Sequence, residues 1–208
     1  MENMVYKNLL LRFLISILFV SIYVFIILID KNLIKYFVLL IYLLILIELL
    51  LYFRIKFIPF IYLLVSIYFI FYLKNIDLIS FNYFIILIIS FDIFSYLVGS
   101  IYGRTKFIKK LSPNKTLEGF VGGIIFSFIT GFIYIFFLQL NLNFFLIIFT
   151  IIIILSAFVG DLLESYFKRI NNLKNSSNLL PGHGGFFDRF DSFVFAIIPY
   201  SLLYKNLL

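Results

Sequence analysis

The sequence predicts an all-α, polytopic helical membrane protein with about seven (6–8) transmembrane helices. First, 64% of the 208 residues are apolar and only 13% are charged, with a mean hydropathy of +1.15. Soluble domains carry about 25% charged residues, and disordered chains are poor in apolar residues, so both classes are excluded. Second, the apolar residues form runs near the length of about 20 residues that crosses a bilayer. Third, the basic residues lie mostly between alternate runs.

Seven apolar runs, taken in order, are the predicted helices. They cover residues 9–29, 33–53, 57–73, 78–98, 117–138, 142–160 and 192–207. The first run is too long for the apolar part of a signal peptide, and no small-residue cleavage site follows it. The third and the last runs are short enough to be re-entrant or tilted, which leaves the number of spans open by one or two.

The basic residues predict which loops face the cytoplasm. With the N-terminus in the cytoplasm, thirteen Lys and Arg residues fall on the cytoplasmic side and four on the opposite side. This positive-inside bias predicts an integral protein of the inner (cytoplasmic) membrane, with the polar segments 100–116 and 168–191 in the cytoplasm. The net charge of +7 therefore reports topology, and no nucleic-acid partner is predicted.

The densest polar stretch lies between the sixth and seventh runs. If the sixth helix continues past its apolar run, four polar residues share one of its faces, namely Asp161, Glu164, Ser165 and Lys168. Asp188 and Asp191 lie one turn apart at the start of the last helix. Carboxylate oxygens hold Mg²⁺, and basic side chains offset the charge of phosphates. The pattern favours a metal-dependent phosphoryl or nucleotidyl transfer.

Each of these residues also has a structural interpretation. Lys168 and Arg189 are typical of basic residues that anchor a cytoplasmic loop. Aspartates are typical of helix N-termini, and a glycine-rich segment is typical of a turn. The Pro-Gly-His-Gly-Gly run at 181–185, however, combines exposed backbone N–H groups with a histidine, beside Asp188 and Arg189. The combination is more specific than any of its members, and it favours a functional site.

A second polar group opens the fifth predicted helix. Ser112, Lys115 and Thr116 lie there, just before Glu118. A helix N-terminus of this kind favours an anion, with Lys115 as a phosphate partner. A helix cap beside a topology-determining lysine explains the same residues equally well. The nearby glycines have the spacing of helix-packing contacts, and glycine-lined helices also permit a homodimer.

Two acidic residues lie inside apolar runs. Asp92 is near the cytoplasmic end of the fourth run, and an acid at such a position is a functional candidate. Glu48 lies deep in the second run, with no polar companions along the sequence, which favours a structural pairing.

These motifs resemble those of the phosphatidate cytidylyltransferases, also called CDP-diacylglycerol synthases. The signature of that family runs Ser-x-x-Lys-Arg, Lys-Asp, Pro-Gly-His-Gly-Gly and Asp-Arg-x-Asp-Ser. This chain supplies Ser165, Lys168-Arg169, Lys174, the run at 181–185, Asp188-Arg189 and Asp191-Ser192. The resemblance covers roughly residues 90–195, while the residues before it match only in hydropathy. Asn175 stands where the family has an aspartate.

The resemblance implies transfer of a cytidylyl group from CTP to phosphatidic acid, giving CDP-diacylglycerol and pyrophosphate, with Mg²⁺ as cofactor. The implied catalytic residues are Asp161, Lys168, Arg169, His183, Asp188 and Arg189. The implied nucleotide or phosphate ligands are Ser112, Lys115, Thr116, Ser165, Lys174, Gly184 and Gly185. The implied metal ligands are Asp161, Asp188 and Asp191, with Asp92 and Glu118 as other candidates. Residues 1–90 would then be a scaffold on the lipid side, and residues 91–208 the catalytic region.

Three alternatives remain beside this interpretation. One is a CTP-dependent transferase or kinase for another membrane lipid phosphate. A second is a degenerate, non-catalytic lipid-binding homologue, which Asn175 favours slightly. A transporter is the third, but its polar groups would lie near the middle of the membrane in repeated halves, and no repeat is visible here.

Overall fold

The computed structural model describes residues 2–73, 76–109, 111–180 and 184–207, with side chains of the first helix described from residue 14 onward. Its helices are α1 (Glu2–Ile29), α2 (Leu33–Tyr52), α3 (Phe57–Tyr72), α4 (Leu78–Tyr102), α5 (Leu117–Phe137), α6 (Phe144–Ile170) and α7 (Phe187–Leu203). A short 3₁₀ helix, Tyr204–Asn206, follows α7. The described residues contain no β-strand, only two isolated bridges. The all-α prediction is therefore confirmed.

Four of these helices, α2, α4, α5 and α6, are long and apolar enough to cross a membrane. The segment Leu14–Ile29 and helix α3 are shorter apolar helices. Large apolar side chains lie exposed on the helices, such as Leu28, Phe136 and Phe137. A lipid environment covers such side chains, whereas water would not. The prediction of a polytopic membrane protein is confirmed.

Four helices extend well past the predicted apolar runs. Helix α1 begins at Glu2, α4 continues to Tyr102, α6 continues to Ile170, and α7 begins at Phe187. Hydropathy marks where lipid contact ends, whereas the backbone hydrogen bonds of a helix continue into water. The extension of α6 meets the condition under which Asp161, Ser165 and Lys168 share a helical face.

The chain forms two compact units. The first unit comprises Met1–Ile76 and Phe167–Phe190, and the second comprises Asp77–Tyr166 and Asp191–Leu208. The predicted boundary at residue 90 is a different kind of boundary, because it separates a scaffold from a catalytic region by function. That functional division stays a prediction.

Buried residues of α2 and α3 form the core of the first unit. Ile34, Ile41 and Ile45 of α2 are buried at helical spacing. The hydroxyl groups of Tyr42 and Ser66 are hydrogen-bonded at 2.5 Å, which joins α2 to α3 inside this apolar core. Rings pack at one end of the unit; they belong to Phe53, Tyr62, Phe167 and Phe187.

A glycine face joins α4 to α5 in the second unit. A Cβ added at Gly122 would lie 2.7 Å from the side chain of Val98, and one at Gly123 would lie 2.9 Å from the ring of Phe91. Backbones this close require glycine, which confirms that these glycines are packing contacts. Because they pack within the chain, they supply no argument for a homodimer, which stays a prediction.

Candidate active site

Asp188, in the first turn of α7, is the centre of a polar cluster in the first unit. Its Oδ2 accepts hydrogen bonds from the backbone N–H groups of Ser176 and Gly185, both at 2.9 Å. Its Oδ1 lies 2.8 Å from Nζ of Lys168, and the two side chains are only 14% (Lys168) and 9% (Asp188) exposed. Low exposure strengthens such an ion pair, because little water screens it. Ser176 and Gly185, which lie on either side of residues 181–183 in the sequence, are thus both bound to this carboxylate.

Two glycines permit the loop before α7 to approach the carboxylate. Gly184 has φ +86°, a left-handed conformation that glycine adopts without strain, and a Cβ there would lie 2.5 Å from Oδ2 of Asp188. A Cβ at Gly185 would collide with Oε1 of Glu48 and Oγ of Ser176. The N–H of Gly185 is already used by Asp188, so it contributes to the shape of the loop. His183 lies outside the described residues, and its role stays a prediction.

Glu48 of α2 contacts the same loop. Its Oε2 accepts hydrogen bonds from the N–H groups of Phe186, at 2.8 Å, and Phe187, at 3.1 Å. The side chain is fully buried. The structural pairing expected for Glu48 is therefore observed, although its partners lie 138 and 139 positions away along the chain.

Asn171, just beyond the end of α6, fastens the turn between α2 and α3. Its Oδ1 accepts hydrogen bonds from the N–H groups of Arg54 (2.8 Å) and Ile55 (2.7 Å). Its Nδ2 donates to the carbonyl oxygens of Phe167 (2.9 Å) and Ile55 (3.3 Å). Sequence reasoning missed this residue. Its position two residues after the Lys-Arg pair was the one available signal.

The remaining predicted cations of the first unit are exposed. They are Arg169, Lys174 and Arg189. Nη1 of Arg169 donates to the carbonyl oxygen of Leu173 at 3.5 Å. Exposed side chains of this length can turn toward an anion in solution at little cost.

A second polar cluster lies in the second unit, around Asp161 of α6. Nζ of Lys115 lies 2.5 Å from Oδ2 of Asp161 and 4.7 Å from the ring centre of Phe158. Asp92 of α4 is in electrostatic range of both charges, and its Oδ1 accepts a hydrogen bond from Oγ of Ser192 at 3.2 Å. Three helices and the N-terminal end of α5 therefore supply this cluster.

Gly160 brings α6 close to α7 in this cluster. A Cβ at Gly160 would lie 2.6 Å from the backbone oxygen of Asp191. Oδ1 of Asp191 accepts a hydrogen bond from the N–H of Ser192 at 2.7 Å. The structure therefore places Asp191 beside the residue that precedes Asp161. Ser165, one turn further along α6, is buried.

Hydrogen bonds join the two ends of the segment that connects α4 to α5. Oγ1 of Thr116 caps α5 by accepting a hydrogen bond from the N–H of Gly119 at 3.2 Å. The carboxylate of Glu118 accepts hydrogen bonds from the N–H groups of Arg104 and Thr105, at 3.1 Å. The carbonyl oxygen of Ser112 accepts from the N–H of Lys115 at 3.2 Å. The helix-cap interpretation holds for Thr116, and its contact with phosphate stays a prediction.

The donor chemistry of both clusters fits Mg²⁺. Among the described residues, no group of three or more His, Cys, Asp or Glu side chains could hold a metal ion. Two pairs of acids lie within electrostatic range of each other, Asp92 with Asp161 in the second unit and Glu48 with Asp188 in the first, where Glu48 is taken up by backbone N–H groups. Mg²⁺ is commonly bound by one or two carboxylates, with water and substrate phosphates as its other ligands. Asp161 and Asp188 belong to different units, and their convergence on one ion stays a prediction.

Comparison with known proteins defines the class to which this fold and these clusters belong. The chain matches the sequence profile of the cytidylyltransferase family over residues 9–207, and it belongs to that family. It is 46% identical over 114 residues to the phosphatidate cytidylyltransferase of Staphylococcus haemolyticus, an alignment covering 54% of this chain and 44% of that protein. The enzyme of the same name from Staphylococcus aureus strain COL is 42% identical over 113 residues, with the same coverage. The matched segment spans less than half the length of these relatives.

Proposed function

We propose that the chain transfers a cytidylyl group from CTP to phosphatidic acid, giving CDP-diacylglycerol and pyrophosphate. The observation that carries the proposal is the Asp188 cluster, where a motif carboxylate is held by Lys168 and by two backbone N–H groups. Family membership supports the reaction class, and the names of the relatives support the substrates.

In this reaction an oxygen of the lipid phosphate attacks the α-phosphorus of CTP. A new phosphorus–oxygen bond forms, and the bond from the α-phosphorus to the oxygen that bridges it to the β-phosphate breaks, so pyrophosphate leaves. The lipid phosphate is already a nucleophile, which agrees with a chain that contains no cysteine. The protein must bring two anions together and stabilise the leaving group, which is a task of positioning and electrostatics.

The basic residues would receive the phosphates. Lys115 and Lys168 are each paired with a carboxylate in the structure, and the exposed cations lie beside them in the sequence. The proposed phosphate-binding cations are Lys115, Lys168, Arg169, Lys174 and Arg189. The main-chain or hydroxyl groups proposed to assist them belong to Ser112, Thr116, Ser165, Gly184 and Gly185. The N–H group of Gly185 would have to exchange its hydrogen bond to Asp188 for one to phosphate. His183 would contact the nucleotide or the pyrophosphate.

Asp161, Asp188 and Asp191 would hold Mg²⁺, with Asp92 and Glu118 as further candidates. The ion, when bound, would neutralise charge on the triphosphate. In the structure, a lysine neutralises Asp161 and another neutralises Asp188. These lysines orient each carboxylate before the substrate arrives.

The proposed reaction takes place at the cytoplasmic face of the inner membrane. The excess of thirteen basic residues over four supports a cytoplasmic N-terminus and cytoplasmic segments 100–116 and 168–191. CTP is a soluble substrate, whereas phosphatidic acid is delivered by the bilayer, so an interfacial site serves both.

The test is an assay of the purified 208-residue chain in detergent with Mg²⁺, labelled CTP and phosphatidic acid. We expect a labelled CDP-lipid from the wild type and none from Asp188→Ala. Asp30→Ala changes an exposed aspartate whose carboxylate accepts a local hydrogen bond from the N–H of Asn32; it is the matched control and should retain activity. Wild-type rates from Asp188→Ala would contradict the role of that residue. The absence of product with phosphatidic acid and with other lipid phosphates would contradict the function.

A non-catalytic lipid-binding protein is the second candidate, and Asn175 is the observation that favours it. Asn175 is exposed and lies beside Gly184. The family signature has an aspartate at the position of Asn175. A panel of lipid phosphates in the same assay also separates phosphatidic acid from another lipid acceptor. Inactive wild type that regains activity as Asn175→Asp would identify a degenerate enzyme.

A further inference from the structure

Glu48 is a buried acid in a helix that otherwise has the composition of a membrane span. Helix α2 is long and apolar enough to cross a membrane, and Glu48 is 0% exposed. A carboxylate in such a place is costly unless donors meet its charge, and it is a functional candidate for that reason. The mechanism above gives it no role.

The donors that meet this charge are the first N–H groups of α7. The N–H groups at a helix N-terminus have no partner inside the helix, and a polar cap residue commonly accepts from them. Here the residue before α7 is Phe186, and the two before it are glycines, so the residues that precede the helix provide no side-chain acceptor. Oε2 of Glu48 takes that place from another helix, with Phe186 at 2.8 Å and Phe187 at 3.1 Å. The negative charge of Glu48 also interacts favourably with the positive end of the α7 dipole.

Glu48 and Asp188 divide three consecutive N–H groups between them. Asp188 accepts from Gly185, and Glu48 accepts from Phe186 and Phe187. Gly185 makes this possible, because a Cβ at that position would collide with Oε1 of Glu48. Oε1 of Glu48 therefore faces Gly185 and Oγ of Ser176. The backbone N–H of Ser176 in turn donates to Asp188.

We propose that Glu48 is a positioning residue of the transfer reaction, which fixes the start of α7 and thereby the carboxylate of Asp188. The inference rests on the proposed function. Glu48 acts through the backbone of residues 186 and 187 and contacts neither substrate. It gives the scaffold helix α2 a defined part in the chemistry of the first unit.

Two substitutions at Glu48 separate this role from the alternatives. In Glu48→Gln the amide oxygen still accepts both N–H groups, and the amide nitrogen can donate to Ser176 Oγ. In Glu48→Leu both N–H groups lose their acceptor inside an apolar region. We expect Glu48→Leu to lower kcat by about 10- to 100-fold, with less than about a threefold change in KM for CTP, and Glu48→Gln to stay within about fivefold of wild type.

The control for a purely structural effect is Tyr42→Phe. Tyr42 lies on the same helix as Glu48, and this change removes its buried hydrogen bond to Ser66 of α3 without touching the loop before α7. Thermal unfolding in detergent gives the folded fraction of every variant, and rates are compared at equal folded fraction. Loss of kcat by Glu48→Leu only in proportion to unfolding, as in Tyr42→Phe, would overturn the proposal. Equal losses in Glu48→Gln and Glu48→Leu would overturn it too, because a required negative charge indicates a ligand.

A second readout does not depend on turnover. Binding of Mn²⁺ to the nucleotide-free protein, followed by electron paramagnetic resonance, should weaken about tenfold in Glu48→Leu and remain near wild type in Glu48→Gln and Tyr42→Phe. Unchanged Mn²⁺ affinity in Glu48→Leu would contradict the inference. A wild type that binds Mn²⁺ through Asp188 yet forms no CDP-lipid would contradict the proposed function alone.

Discussion

At the scale of single residues, two lysine–aspartate pairs are the main feature of the candidate site. Lys115 pairs with Asp161 and Lys168 pairs with Asp188, and each pair includes a predicted metal ligand and a predicted phosphate ligand. Hydrogen bonds between ions are about twice as strong as neutral ones, so each pair sets the position of both side chains. When a phosphate and a metal cation enter together, the phosphate would become the new partner of the lysine and the cation that of the aspartate.

The Lys115 pair leads to a prediction about nucleotide binding. Lys115→Met keeps the approximate length of the side chain but removes its charge, and with it the ion pair with Asp161 and the cation contact with the ring of Phe158. We expect KM for CTP to rise by about 10- to 100-fold, because one charge-assisted phosphate contact is lost. Steady-state kinetics at saturating lipid measure it. Lys109→Met, an exposed lysine of the same loop, is the control and should leave KM unchanged. Equal KM values in both variants would show that Lys115 is only the partner of Asp161.

The sequence identified the charged members of both clusters but not their partners. Asp161, Lys168 and Asp188 were predicted from their residue types and spacing. The acceptor role of Glu48 was not, since its partners are backbone N–H groups, and any residue except proline supplies such a group. The hydrogen bonds that Asn171 accepts from the N–H groups of Arg54 and Ile55 were not predicted for the same reason.

At the scale of elements, hydropathy predicted the seven α-helices that the structure describes and misplaced several of their ends. Helices α6 and α7 both extend into polar sequence that carries the motif residues. Asp161, Lys168 and Asp188 are therefore held on helices, whereas the glycines of the motif lie on the loop between them. Rigid elements hold charged side chains more precisely than a loop does.

The contact between α4 and α5 gives a prediction about stability. Gly122→Leu inserts a side chain where a Cβ alone would lie 2.7 Å from Val98. We expect a loss of about 1–3 kcal/mol in stability, because overpacking forces the helices apart. Thermal unfolding in detergent is the measurement. The adjacent change Val121→Leu, on an exposed face of α5, should leave the transition in place. A Gly122→Leu protein as stable as wild type would show that α4 and α5 pack differently.

At the scale of the whole molecule, the chain is a polytopic membrane protein, and its orientation is testable. Helix α5 has 21 residues, or roughly 31 Å at 1.5 Å per residue, enough to cross the hydrocarbon core. Lys109 precedes it and Asn141 follows it, and both are exposed. We therefore expect these two positions on opposite sides of the membrane.

Single cysteines test that orientation without background, because the chain has none of its own. In intact spheroplasts a membrane-impermeant maleimide should label Asn141→Cys at once and Lys109→Cys only after permeabilisation. Both should react in detergent, which is the control for exposure. The reverse pattern would place the polar segments outside the cytoplasm and remove access to CTP.

By itself, the sequence determined the membrane class, the order of the helices and the identity of the charged motif residues. Hydropathy and charge act locally, so runs of residues report them. Only the tertiary structure decided that Lys115 pairs with Asp161, that Lys168 pairs with Asp188, and that Glu48 caps α7. These contacts depend on the approach of distant backbones, which Gly160 and Gly185 permit by lacking a side chain, and no local pattern encodes which distant group fills the space.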